Sequence, residues 1–397
     1  MIKREIYLSQ IRPFYNQDLI KVITGIRRCG KSVLLNQIID ELTANNIDTN
    51  HIIYMNFENY DYIEYTNPKE FNEFIKSKII DDKKYYLFFD EIQNVTDWEK
   101  VINSFRATKN VSIFITGSNS KLLSGELATH LAGRYISFRM QPFSFKEVCE
   151  IKKVNEQNKE KVFEDYLMWG GLPQRFTVGE EQQIIAYLED IYDSIVLNDI
   201  VERNKIQNVN MLKDLIQYLI STPAQTFSGT SIVKYFENIK RPVAPETLYN
   251  YFNSITDAFI INRVQRYDIQ GKKILSRLDK YYVADLGITH AKNVNKKIDL
   301  GSSLENIVYN ELINRGYTVY TGRNGEKEID FIATKTNEKL YFQVSYILAD
   351  DSVIEREFGA YKGISDNYPK YVLTMDKFDF SQDGIIHKNV IDWLLEK

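Results

Sequence analysis

Cysteine and histidine are scarce in this sequence, and their scarcity removes whole classes of function. Of 397 residues two are cysteine, Cys29 and Cys149, and four are histidine. Two distant thiols cannot build a disulfide framework, and the histidines show none of the spacings that hold zinc and related metals. A reduced, intracellular compartment follows, and we expect a cytoplasmic protein. Long apolar runs are missing as well. No stretch of ~18 apolar residues exists to span a bilayer, and Met1-Ile2-Lys3-Arg4-Glu5 lacks the apolar core of a secretory leader, so no membrane partner is expected. Nor is there an excess of one charge. Fifty basic residues against 54 acidic leave a net charge of −4, so any nucleic-acid contact must come from a local basic patch and not from a global field. Low-complexity segments and short repeats are absent, and the 27 tyrosines and 22 phenylalanines fall mostly at core-like spacing. A 44% hydrophobic, 26% charged composition is that of an ordinary globular chain, long enough for about two to three domains.

What is present is concentrated in two strand ends. Gly25-Ile26-Arg27-Arg28-Cys29-Gly30-Lys31-Ser32 reads G-x-x-x-x-G-K-S; it follows the apolar run Leu19 to Thr24 and opens a helical run from Val33 to Ile39. Such a P-loop aims backbone N–H groups and a helix dipole at phosphate oxygens, brings Lys31 to the β/γ-phosphates and gives Ser32 to magnesium. Residues 25–33 are therefore the expected nucleotide cradle, with Cys29 contributing only its backbone. Four more strand-like runs follow, at Ile52 to Phe57, Tyr85 to Asp90, Val111 to Thr116 and Arg134 to Phe138, separated by helical stretches as in an α/β sheet. Their continuous apolar character predicts parallel strands buried on both faces.

The run ending Leu87-Phe88-Phe89-Asp90-Glu91 delivers an acidic pair at the carboxyl end of a strand, where ligands bind in such sheets. Asp90 is expected to hold magnesium, and Glu91 to orient and deprotonate the attacking water. Ser118 and Asn119, at the end of the next strand, are placed to sense a γ-phosphate, although a turn leaving the strand accounts for the same residues. Arg134 is the candidate charge for transition-state stabilisation, within the chain or across to a neighbouring copy.

Ile23 to Ser32, Asp90-Glu91-Ile92-Gln93, Ile115-Thr116-Gly117-Ser118 and Gly170-Gly171-Leu172-Pro173 together resemble the prokaryotic AAA-type ATPases that pair a P-loop domain with a C-terminal domain of unknown function. The similarity runs along nearly the whole chain. It implies ATP as cofactor with Mg2+, ATP hydrolysis, and a lid-like segment after the nucleotide domain; it implies no particular biological process.

Beyond the polar link at Lys152 to Lys161, apolar residues at helical spacing (Leu212, Leu215, Ile216 and Leu219; Leu248, Tyr251, Phe252 and Ile255) precede a hairpin around Gly271, the order of a winged helix. Residues 231–282 carry nine basic residues, Lys234, Lys240, Arg241, Arg263, Arg266, Lys272, Lys273, Arg277 and Lys280, against five acidic ones, a local +4. DNA is the expected partner, with Thr247, Asn250 and Asn253 in a groove and Arg266, Lys272 and Lys273 on phosphates. A module that merely packs domains together fits the same pattern.

From residue 298 the order α-β-β-β-α-β resembles the restriction-endonuclease-like PD-(D/E)XK superfamily, in which a helix Glu, a strand Asp and a Glu-x-Lys hold magnesium and activate water. Glu305 and Asp330 match, but the third element reads Gln343-Val344-Ser345. Gln343 keeps a carbonyl oxygen without charge, Ser345 replaces the lysine, and Lys362, on the helix expected to follow, is a candidate substitute that no spacing requires. A degenerate nuclease fold is expected.

The chain thus reads as α/β: a P-loop sheet in 1–150, a helical lid or linker in 151–205, a winged-helix-like module in 206–290 and a nuclease-like domain in 298–397. The function expected is Mg-dependent ATP hydrolysis driving rearrangement of a DNA-binding module, with homo-oligomers open. A slow nucleotide-gated regulatory or defence switch and an ATP-regulated nuclease remain as alternatives.

Overall fold

The structure, a computed structural model, describes residues 2–123, 131, 133–221, 223–227, 229–293 and 297–396. The side chains of 121, 123 and 276–278, including that of Arg277 counted above, lie outside the described set. The chain divides into two compact units: residues 1–141 with Asp257–Phe259, and residues 142–256 with 260–397.

The first unit is built on five parallel strands, β1 (Ile20–Gly25), β2 (Ile52–Asn56), β3 (Tyr85–Asp90), β4 (Val111–Gly117) and β5 (Tyr135–Met140), in the order β2-β3-β4-β1-β5. The expected parallel arrangement is the one observed. β1, β3 and β4 are buried at every position, which is why their sequences are continuously apolar instead of alternating. One face, carrying Ile20, Val22, Met55, Leu87, Phe89 and Ile113, packs on Phe71 and Ile75 of α3 (Pro68–Lys78) and on Trp98, Ile102 and Phe105 of α4 (Trp98–Thr108). The other face receives α2 (Lys31–Ala44); the short α1 (Glu5–Ile11) precedes the sheet. Because β1 is inserted between β4 and β5, the carboxyl ends of β1, β4 and β3 lie side by side, about 4.8 Å apart strand to strand.

The second unit begins with helices α5 (Phe145–Lys152), α6 (Lys159–Trp169) and α7 (Glu181–Ser194), the last continuing as a π-helix over Ile195–Glu202. The Gly-Gly-Leu-Pro break is a buried joint. Gly170 has φ +68°, and a Cβ there would lie 1.9 Å from Asp285 Oδ1; the Asp285 carboxylate accepts from Gly171 N at 2.7 Å and Gly287 N at 2.9 Å, while buried Arg175 donates to Gly170 O at 2.7 Å. Burial pushes the Asp285 carboxyl up to about 6.

Helices α8 (Val209–Ile220), α9 (Gly229–Asn238) and α10 (Pro245–Asp257), with the short β6 (Thr226–Phe227), lead to the hairpin β7 (Ile261–Asp268) and β8 (Lys273–Val283). After α11 (Leu286–Lys292) and α12 (Leu300–Asn314) come β9 (Thr318–Asn324), β10 (Lys327–Lys335), β11 (Glu338–Val344), α13 (Asp351–Gly359), β12 (Lys370–Thr374), β13 (Ile386–Asn389) and α14 (Val390–Leu395). The α-β-β-β-α-β order is present, extended by β13 and α14. The hairpin is not a separate wing. β7 pairs in parallel with β9, so a single sheet of eight strands, β13-β12-β11-β10-β9-β7-β8-β6, crosses the boundary expected near residue 290. Among the described residues no helix is long and apolar enough to cross a membrane.

One core residue is out of character. Lys21 on β1 is wholly buried; its Nζ donates to Ser112 Oγ at 2.7 Å and Gln17 O at 3.2 Å and lies 4.5 Å from the centre of the Phe114 ring. Burial, aided by the Lys84 charge, lowers its ammonium to about 7. An unfolded lysine titrates near 10.4, so between pH 7 and about 10 the unfolded chain holds a proton that the folded chain does not, and stability rises with pH there. Lys21→Met is expected to stabilise the fold at pH 7 by ~1–3 kcal/mol, with the margin shrinking towards pH 10. Urea unfolding across that range checks this; a margin indifferent to pH, or a loss of stability, would count against it.

Candidate functional site

The loop between β1 and α2 is held by conformations that few residues tolerate. Gly25 has φ +154°, and a Cβ would stand 2.2 Å from Met140 O on β5; Gly30 has φ +105° and begins α2 with no side-chain cap. The first-turn amides of a 14-residue helix are thereby left without a capping side chain, the arrangement that suits an anion. Lys31 is buried, and its ammonium donates to Gly25 O at 3.2 Å and Ile26 O at 3.4 Å and lies 3.5 Å from Glu91 Oε1. Ser32 and Val33 follow in the same turn. Arg27 pairs with Glu58 at 2.9 Å, and Arg28 takes φ +65°. Burial pushes the Cys29 thiol up, which makes it a poor nucleophile.

The acidic pair sits where the strand order brings it. Asp90 is fully buried; one carboxylate oxygen accepts from Thr116 Oγ1 and the other from Tyr54 OH at 3.1 Å. Thr116 also accepts from Glu91 N at 3.0 Å, so one hydroxyl on β4 fixes both acids at the end of β3. Glu91 takes the left-handed conformation, φ +52°, and Gln93 Nε2 donates to its carboxylate. Ser118 and Asn119, just beyond the end of β4, are buried, and β4 is the strand next to β3. The loop, Lys31, Asp90, Glu91, Ser118 and Asn119 thus converge on one edge of the sheet, where cation, metal-type carboxylate and second carboxylate can act on a phosphate.

Arg134 does not join them. It is exposed at the start of β5, with its carbonyl bonded to Ile20 N and its Nη1 to Asn103 Oδ1 at 3.0 Å. The β1–β5 register sets it six positions from Gly25, roughly 20 Å along a parallel strand, at the opposite edge; action on phosphate within its own chain is corrected on this ground. A residue overlooked in the sequence is Arg4, which is 1% exposed and donates to Cys29 O at 3.2 Å and Gln141 O at 3.0 Å. It braces the loop from behind. Its signal was hidden in a terminus that reads only as charged.

The second unit gathers another ionic cluster. Lys280 Nζ on β8 lies 2.7 Å from Glu328, 3.0 Å from Glu305 and 3.4 Å from Asp330. Tyr282 OH donates to Glu305 at 2.6 Å, and Val344 N to Asp330 at 2.9 Å. A register shift between Ile329 and Ile332 turns Asp330 towards the lysine. Burial, and then the Asp330 charge, push the Glu305 carboxyl up to about 7 against the pull of Lys280. Gln343 Oε1 accepts from Asp330 N at 2.7 Å and Nε2 donates to Glu357 at 3.0 Å, and Ser345 Oγ donates to Ile347 O at 3.3 Å. Lys362 is exposed beyond the end of α13. Several of the basic residues between 231 and 282 have acidic partners. Arg241, Arg263, Arg266 and Lys280 are engaged by Asp214, Asp279, Glu328 and the acidic cluster; Lys234, Lys240, Lys272 and Lys273 stand exposed, as do Asn250 and Asn253.

Comparison with known proteins agrees with the first unit and is silent on the chemistry of the second. Residues 17–149 match an AAA domain, and residues 160–298 match a domain of unknown function, DUF8612. An uncharacterized protein of Haemophilus influenzae is 38% identical over 100% of this chain and 99% of its own length. The uncharacterized protein MJ1544 of Methanocaldococcus jannaschii is 33% identical over 92% of this chain and 82% of its own. Among solved structures the Orc1 protein of Aeropyrum pernix, in complex with DNA, superposes with a TM-score of 0.35 at 9% identity, covering 74% of this chain and 93% of that one.

Arg4→Met should cost ~2–4 kcal/mol, since it removes a buried charged donor from two carbonyl oxygens. Chemical denaturation measures this, and a cost under about 1 kcal/mol would show that the brace is dispensable.

Proposed function

This chain carries an AAA domain over residues 17–149 and belongs to the family that it shares with the Haemophilus influenzae relative over 100% of its length and with MJ1544 over 92%, and on that premise we propose that it binds and hydrolyses ATP with magnesium. The juxtaposition of Lys31 with Glu91, beside an Asp90 pinned from two sides, carries the reading. Residues 25–33 take the phosphates, with Lys31 on the β/γ pair. Ser32 and Asp90 hold magnesium, which supplies charge neutralisation on the transferred phosphoryl group. Glu91 orients and deprotonates water, and Ser118 and Asn119 report on the γ-phosphate. Lys31 and Gln93 hold Glu91 in the meantime, so a phosphate competing for Lys31 releases it for work. Lys31→Ala is expected to abolish nucleotide binding, while Glu91→Gln keeps binding and loses turnover by about 10²-fold or more. Steady-state ATPase assays with direct nucleotide titration decide; equal turnover in Glu91→Gln would sink the assignment, and very slow turnover in the native chain would favour a nucleotide-gated switch.

We further propose that turnover rearranges the helical lid, 151–205, and the winged-helix-like module, whose hairpin shares its sheet with a nuclease-like but inactive C-terminal domain, and that the module contacts duplex DNA. Exposed Lys234, Lys240, Lys272 and Lys273, with Asn250 and Asn253, support the contact. Each lysine removed should lower the slope of log K against log salt by about 0.9; no binding of duplex at low salt would overturn the DNA reading. Arg134, exposed and distant, suits a role across to a second copy of the chain, and an ATPase rate that rises with protein concentration and falls in Arg134→Ala would support it. Free Cys29 and Cys149 suit the reducing cytoplasm.

A further inference from the structure

We propose that Lys280 is a built-in cation: its ammonium fills the place that a divalent metal would take among Glu305, Glu328 and Asp330, keeps that cluster metal-free, and staples hairpin β7–β8 to α12 and β10. The inference rests on the cluster itself and is independent of ATP turnover.

Three carboxylates from two elements converge on one point, a set of hard oxygen donors of the kind a divalent cation takes, and two of them, Glu305 and Asp330, are the pair that the nuclease resemblance assigns to magnesium. Here a nitrogen stands there instead, 2.7 to 3.4 Å from an oxygen of each. A metal bound at about 2.0–2.1 Å from the same oxygens would lie within about 3 Å of the ammonium, and two positive charges so close, with the lysine side chain only 8% exposed, repel strongly. The remaining donors are spent. Gln343 gives its oxygen to Asp330 N and Ser345 faces a backbone carbonyl. Among the described residues no group of three acidic, imidazole or thiolate side chains is spaced to hold a metal ion, which is consistent with carboxylates set apart by an ammonium. The lysine also arrives from outside the α-β-β-β-α-β core. β8 lies two strands from β9 in the sheet, beyond β7, so the ion cluster and the β7–β9 pairing fasten the hairpin to the C-terminal elements by independent means. The side chain of Glu328, 37% exposed, marks the open side through which an ion would enter were the lysine gone.

The test is Mn2+ binding to the full chain without nucleotide, counted from the EPR signal of the free ion. The native protein should bind none below about 1 mM. Lys280→Met should bind one Mn2+ at least about tenfold more tightly than that limit, the repelling charge being gone, and Lys280→Met combined with Asp330→Asn should lose it. Native protein that takes up Mn2+ in a manner abolished by Asp330→Asn would overturn the proposal, because the lysine would then stand beside a metal and not in its place. A folded Lys280→Met that binds no Mn2+ would overturn it as well. If Lys280→Met is unfolded without metal, recovery of its far-UV circular dichroism with Mn2+ supports the proposal, and failure to recover at about 1 mM overturns it.

Discussion

Lys31 and Glu91 are an ammonium and a carboxylate buried within 3.5 Å of each other, and much of the first unit is arranged around that pair. Neither charge could be taken from water alone, and a buried pair is tolerated only when further hydrogen bonds complete its coordination. The loop carbonyls of Gly25 and Ile26 do so on one side, and Gln93 on the other. Their positions depend in turn on a glycine with no room for a Cβ, on the left-handed backbone of Glu91, and on the Thr116 hydroxyl that both acids share. Backbone held in sparsely populated conformations persists where the surroundings over-determine it, and the strand order β3-β4-β1 is what supplies those surroundings.

Among the described residues two buried lysines, Lys31 and Lys280, stand beside carboxylates, and the contrast between them separates the two units chemically. Lys31 lies at the open end of a helix whose first amides have no side-chain cap, so its present partners are ones an anion can replace. Lys280 is enclosed by three carboxylates from two elements, with a tyrosine on one of them. One ammonium is poised for exchange; the other has become part of the fold. Lys21 is a third case, buried against a hydroxyl and a backbone carbonyl, and burial lowers its ammonium to about 7.

Much of the first unit was legible because local pattern and tertiary role coincide there. A parallel sheet buries both faces of its strands, so β1, β3 and β4 announce themselves as apolar runs, and the loop and acid pair fall at their ends by necessity. Arg134 misled because charge type and nearness in sequence say nothing about which end of a strand a residue occupies; the β1–β5 register decides that, and it set Arg134 at the wrong edge. Arg4 escaped because a buried arginine looks like any surface one until its carbonyl partners are known. In the second unit, a count of basic residues could not register pairing that is non-local. Arg266 and Lys280 meet acids that lie far along the chain, on β10 and α12, and a window of sequence cannot see across that distance. The Gly-Gly-Leu-Pro segment was visible as a motif, yet its partner Asp285 lay more than a hundred residues away.

The pairing of β7 with β9 has a practical corollary for anyone dividing this chain. A fragment ended between α11 and α12, where composition suggests a linker, would retain the hairpin but strip β7 of its neighbour over Arg266 to Asp268. The backbone groups so exposed form an open sheet edge, and open edges recruit other strands. Such a fragment invites strand exchange and aggregation, and would report on that edge more than on any native property of the hairpin. A division near residue 141 leaves both sheets whole, although Asp257–Phe259, which belong to the first unit, then go with the second.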